Sequence, residues 1–207
     1  MASSIHIRFA DDELRKMENQ IGALGEKKAR VGLSRAVSRV TDMVYTATVR
    51  AIVKQSGIPR KVVLRAVHKS KPAQKGTGPI FGTVTASGYE IPLRDLGAKQ
   101  LSYGVRAKVQ GKWTRFPGTF IFAGTYRSGQ EIAAGHVFQR DGKKRLRQRQ
   151  TKGGRNRKWV QPIARVPSGV YVADELIRDQ SLAAFEAIVR TKLPERAMHE
   201  LGRLLNA

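Results

Sequence analysis

From Glu26 to Ser56 the apolar residues Val31, Leu33, Ala36, Val37, Val40, Val44, Ala47, Ala51 and Ile52 recur every three or four positions. That spacing gathers one face of a helix and predicts an element of about eight turns. Its other face carries Lys27, Lys28, Arg30, Arg35, Arg39, Arg50 and Lys54, so the same helix is a core element and a basic ridge. Gly57 ends it and Pro59 opens a short second helix to about His68, the usual placing of glycine just past one helix and proline in the first turn of the next. Upstream, Ile5-His6-Ile7-Arg8-Phe9 alternates like a short strand. Asp11 and Asp12 then precede Leu14, Met17 and Ile21, which predict a helix to about Leu24 with a break at Gly25. At the other end, Asp174 to Ala207 places Leu182, Phe185, Val189, Leu193, Ala197, Leu201 and Leu204 on one stripe, and Pro194 is expected to kink or divide that helix.

Between the helical ends the period changes to two. Lys69 to Pro79 has the proline and glycine content of a connector. Phe81 to Ala86, a turn at Ser87-Gly88, and Tyr89 to Pro92 predict a hairpin. Leu101 to Val109 alternates as one strand, and Phe116 to Phe122 holds a tight turn followed by a buried strand. Gly135 to Phe138 and Trp159 to Ala164 are further short strands, and the segment between them, Arg140 to Lys158, is expected to be a long loop. The pattern as a whole predicts an α+β fold: a central antiparallel or mixed β-sheet packed against a long N-terminal helix and a C-terminal helix. Residues 1–72 form the N-terminal strand and helical region, 73–168 the β-rich body and 169–207 the C-terminal helical region, together one structural domain.

Charge sharpens this picture. The 207 residues carry 39 Lys or Arg against 16 Asp or Glu, a formal +23. The segment Arg140 to Lys158 alone supplies Arg140, Lys143, Lys144, Arg145, Arg147, Arg149, Lys152, Arg155, Arg157 and Lys158 against the single acid Asp141. Ten such cations cannot be buried unpaired, so they must face water or an anion. These ten residues are the candidate nucleic-acid or partner-binding site. A polyanionic partner is the first expectation from the net charge, with an acidic protein or an anionic membrane surface as others. The apolar share of 41% argues against global disorder, and a chain of this length can bury roughly 70% of its unfolded surface. No apolar run reaches membrane-spanning length and no secretory signal opens the chain, so neither a membrane span nor secretion is indicated, and of the polyanions nucleic acid or protein is expected as partner and no membrane. Zero cysteines exclude disulfides and thiolate metal sites and fit assembly in a reducing cytoplasm.

Catalytic signatures are not found. His6, His68, His136 and His199 lack metal-ligand spacing, and Gly76-Thr77-Gly78 and Gly153-Gly154 lack the Lys-Ser/Thr ending of a P-loop. Glu90 and Asp95 could act as a carboxylate pair only if folding joined them, and there is no nucleophile elbow. The expectation is therefore no enzyme, with no catalytic residue, cofactor or metal. A helix-turn-helix at Gly57 fails because the preceding helix is far too long. The aromatics of the β body read as core. A stacking platform for single-stranded nucleic acid is set aside because the seven phenylalanines are spread along the whole chain.

The order of segments is more informative than any one motif. LSRAVSRVTDMVYTATVRAIVKQSGIPRKVVLRAV at Leu33 to Val67, IPLRDLGAKQLSYGVRAKV at Ile91 to Val109, FPGTFIFAG at Phe116 to Gly124, GHVFQR at Gly135 to Arg140, and the closing ADELIRDQSLAAFEAIVRTKLPERAMHELGRLL together resemble the minor tail protein Z family of long-tailed bacteriophages. The resemblance spans about Glu26 to Leu205. It implies a structural tail-completion protein, a ring subunit at the head-proximal end of the tail near the neck, needed for tail maturation and head-tail joining. The partners it implies are other copies of the chain in a hexameric ring, tail and neck proteins such as the tail terminator, and packaged DNA. The location it implies is the virion, after assembly in the host cytoplasm. Arg140 to Lys158 is longer and more basic than the connection expected there, so its role is not carried over. The alternative function is a non-sequence-specific nucleic-acid-binding protein.

Overall fold

A computed structural model describes residues 3–7, 25–73, 79–125, 131–151 and 154–206. The expected helix at 11–24 and the glycines at 76, 78 and 153 lie outside these residues. The chain is α+β and every described strand pairing is antiparallel. It divides into two compact units, one built from Met1–Tyr89 with Tyr171–Ala207, the other from Glu90–Val170.

The first unit contains β1 (Ser3–Ile7), α1 (Glu26–Ser56), α2 (Arg60–Ala66), β2 (Val67–Ser70), β3 (Gly82–Ala86), α3 (Val172–Leu176) and α4 (Asp179–Leu205). Helix α1 has the expected bounds because its apolar stripe is continuous: Ala36, Val37, Val40, Val44 and Ile52 are fully buried. Its N-terminal half packs on α4, where Ala29, Leu33 and Ala36 form a cluster with Ala197 and Leu201. Small residues let the two helices approach. A side-chain carbon at Gly32 would come within 2.8 Å of Leu204 Cδ1. At its end α1 stops at Gly57, whose left-handed backbone lets its N–H donate to the Val53 carbonyl.

Three expectations fail in this unit for identifiable reasons. Strand β3 does not form a hairpin with 89–92. It lies between β1 and β2, pairing Ile5 with Val84 and Lys69 with Val84. Period-two alternation marks a strand without naming its partner, and here Ser87 N–H donates to the Ala66 carbonyl instead of closing a turn. The stretch after Ala66, expected as helix end and connector, is thus partly strand. The third is the division at Pro194: α4 is not divided there, and the helical break falls at Ile177-Arg178, where Arg178 is extended. There the fully buried Ser181 hydroxyl lies 2.5, 2.9 and 2.7 Å from the carbonyls of Glu175, Leu176 and Arg178. It takes up backbone acceptors that the break leaves open.

The second unit holds a 3-10 turn (Leu93–Leu96) and eight strands: β4 (Lys99–Leu101), β5 (Gly104–Val109), β6 (Lys112–Pro117), β7 (Thr119–Thr125), β8 (Glu131–Arg140), β9 (Arg145–Thr151), β10 (Gly154–Val160) and β11 (Ile163–Arg165). They form three sheets, in orders β4-β5-β6, β11-β8-β7 and β10-β9. The single strand expected over 101–109 is two, joined at Ser102-Tyr103, because Gly104 adopts φ 144 and a side chain there would collide with the Phe116 carbonyl. Thr119 ties these strands together. Its Oγ1 accepts from Val105 N–H at 3.2 Å and donates to the Phe116 carbonyl at 2.6 Å. Phe120, Phe122 and Phe138 form an aromatic cluster with centroids 6.1–6.5 Å apart.

Candidate nucleic-acid interface

The basic segment is not an irregular loop. Arg145–Thr151 and Gly154–Val160 are antiparallel strands, so most of it is a β-hairpin. The charge of the segment concealed a period-two signal, since Arg145, Arg147 and Arg149 alternate with Leu146, Gln148 and Gln150. The last pair of the ladder is Thr151 with Gly154. Lys152 itself lies outside the described residues.

The hairpin is an excursion from a sheet. Strand β8 enters it and β11 leaves it, and those two strands are neighbours with Ile163 opposite Arg140. Two hydrogen bonds close the neck: Asp141 N–H donates to the Pro162 carbonyl at 2.8 Å, and Gln161 Nε2 donates to the Gly142 carbonyl at 2.9 Å. The neck therefore fixes where the hairpin starts. The expected strand over 159–164 is broken here, at Gln161-Pro162, since proline has no N–H to continue a ladder.

Register sorts the cations. In the ladder Arg147 is paired with Lys158 and Arg149 with Asn156. Arg155 is paired with Gln150 and Arg157 with Gln148. Lys143, Lys144 and Arg145 are exposed around the neck. Arg140, at the end of β8, sets its guanidinium 5.6 Å from the centre of the Phe120 ring. Of the ten expected residues, nine thus fall on the hairpin or its neck.

The surroundings add to the positive field. The Glu90–Val170 unit has 18 Lys or Arg against 4 Asp or Glu, a net +14. Burial, and after it the charges of Arg165 and Arg94, hold His136 below its ordinary 6.5 against the opposing pull of Asp95. Glu90 and Asp95 are engaged separately. Glu90 accepts from Gly169 N–H at 2.6 Å, and Asp95 lies 3.5 Å from Arg94 Nε. Among the described residues no group of three or more His, Asp or Glu is arranged to hold a metal ion, and no helix is long and apolar enough to cross a membrane. What the hairpin can do chemically is meet several phosphates or carboxylates at once without reading sequence. Comparison with protein families, curated proteins and solved structures finds no match to the chain.

Proposed function

We propose that the chain is a structural tail-completion protein of the minor tail protein Z type: a subunit of a ring at the head-proximal end of a phage tail, with neighbouring tail and neck proteins as partners and the β9-β10 hairpin directed toward the DNA path. The observation that carries this reading is the ordered run of five sequence segments. Those segments coincide with the main elements of both units, from α1 and α2 through β4, β5, β7 and β8 to α4. A hairpin with nine cations on it or at its neck, pinned at that neck, suits a subunit that must present charge at a fixed place. Head-to-tail contacts between copies close into a ring when the rotation between them permits.

The net +14 of the Glu90–Val170 unit favours a second reading, a free protein that binds nucleic acid without sequence preference. Negative-stain images of the purified protein, alone and mixed with tails, separate the two. Closed rings that sit on tail ends support the first. Monomers or dimers that ignore tails and bind nucleic acid tightly support the second.

A further inference from the structure

A second cationic surface lies on the sheet β4-β5-β6, apart from the hairpin. Val105 and Ala107 bury one face of that sheet. Strand alternation and register place Lys99, Arg106, Lys108, Trp113 and Arg115 on the other. Lys99 pairs with Arg106 and Arg106 with Arg115, so three cations stand directly opposite one another across three strands. Lys108 stands opposite Trp113. A row of like charges in register is destabilising in the free protein. No carboxylate pairs with any of them among the described residues. The sequence offers none nearby, since Leu96 to Gln130 contains no Asp or Glu.

Two aromatic rings are interleaved with these cations. Trp113 is 52% exposed on strand β6, with the Arg106 guanidinium 4.8 Å from its centre. Tyr103, in the turn before β5, is 41% exposed and has the Arg115 guanidinium 5.3 Å from its centre. Arg106 Nε is shielded from solvent without a hydrogen-bond acceptor among the described residues. The cation-π contacts hold both guanidinium groups beside the rings.

We propose that this face is a platform for single-stranded nucleic acid, with bases stacking at Trp113 and Tyr103 and phosphates meeting Lys99, Arg106, Lys108 and Arg115. A duplex hides the faces of its bases, and an acidic peptide uses the cations but leaves the rings idle. Only a single strand engages both kinds of group. The site uses a different sheet from the hairpin and does not depend on the tail-subunit reading.

The test uses full-length protein with Lys143, Lys144, Arg145, Arg147 and Arg149 changed to Gln, which removes five of the ten cations of the hairpin segment. Fluorescence anisotropy is measured with a labelled single-stranded oligothymidine, a duplex of equal length and a polyglutamate peptide. The single strand is expected to bind at least about tenfold more tightly than the duplex, with Trp113→Leu weakening it about tenfold and Trp113→Phe restoring most of the loss. A Trp159→Phe variant, in which Trp113 is the sole tryptophan, should show fluorescence quenching on binding, a readout that leaves the platform intact. Equal affinity for duplex and single strand overturns the proposal. So does tighter binding of the peptide, unchanged Trp113 emission, or a folded Trp113→Leu protein that binds as before.

Discussion

Arg39 of α1 and Glu200 of α4 meet at 3.4 Å, with the Glu200 carboxylate fully buried and the Arg39 side chain half exposed. Arg203, in the next turn of α4, approaches the other carboxylate oxygen at 3.1 Å and is also half exposed. Neither contact has hydrogen-bond alignment, so the carboxylate is held mainly by charge. Removing one side of such a group is not equivalent to removing the other. Glu200→Met frees two arginines that already reach water, and stability should change by no more than about 1 kcal/mol in either direction. Arg39→Gln with Arg203→Gln strands the buried carboxylate and should cost about 3 kcal/mol. Urea denaturation of both variants checks this asymmetry, and a larger loss for Glu200→Met would refute it.

Close contact between β3 and α1 gives a second prediction. A side-chain carbon at Gly82 would overlap the Thr41 hydroxyl, which itself donates to the Val37 carbonyl at 2.7 Å. Gly82→Ala should therefore destabilise by about 1–3 kcal/mol through overpacking. Adding Thr41→Ala should recover part of that loss, giving a non-additive cycle. Additive losses in thermal melts would mean that the two residues do not share this contact.

Acid sensitivity follows from Asp42. Partial burial pushes its carboxyl up, but the hydrogen bonds and charges of Lys69, at 2.5 Å, and Lys71, at 2.8 Å, outweigh it and hold Asp42 below its ordinary 3.8. A carboxylate depressed in the folded state stabilises above its unfolded value and loses that contribution as pH falls through the folded one. Because the pair is substantially exposed, Asp42→Asn should cost only about 0.5 kcal/mol at pH 7. The difference between wild type and variant should shrink as pH falls below 3.8 and vanish in strong acid. A difference that stays constant or widens on acidification would contradict this.

The parts legible in the sequence were those set by local period. Helix α1 kept its bounds because 31 residues of apolar stripe leave little choice of face. The α+β class followed from the change of period along the chain. Long-range pairing was not legible: β3 takes β1 and β2 as neighbours across long sequence separations, and alternation carries no partner identity. The hairpin was hidden because its alternation is between arginine and glutamine, not between apolar and polar. The missing N–H of Pro194 suggests a division of the helix, but the apolar stripe continues on both sides, where Leu193 and Ala197 are buried. The exposed sheet face is not legible because Trp113 and Tyr103 meet their arginines, Arg106 and Arg115, only through the strand pairing that follows the Ser102-Tyr103 turn.

The central claim joins a ring-forming subunit to a hairpin that meets DNA, and one variant tests both halves. With Lys143, Lys144, Arg145, Arg147 and Arg149 changed to Gln, duplex binding is measured across a salt series and assembly is scored by electron microscopy of rings and tails. Each phosphate neutralised contributes about −0.9 to the slope of log affinity against log salt, so loss of about five contacts should make the slope shallower by about 4.5. The account predicts that shallower slope together with intact rings and normal attachment to tails. Unchanged duplex binding with failed assembly would contradict it and assign the hairpin to a protein interface.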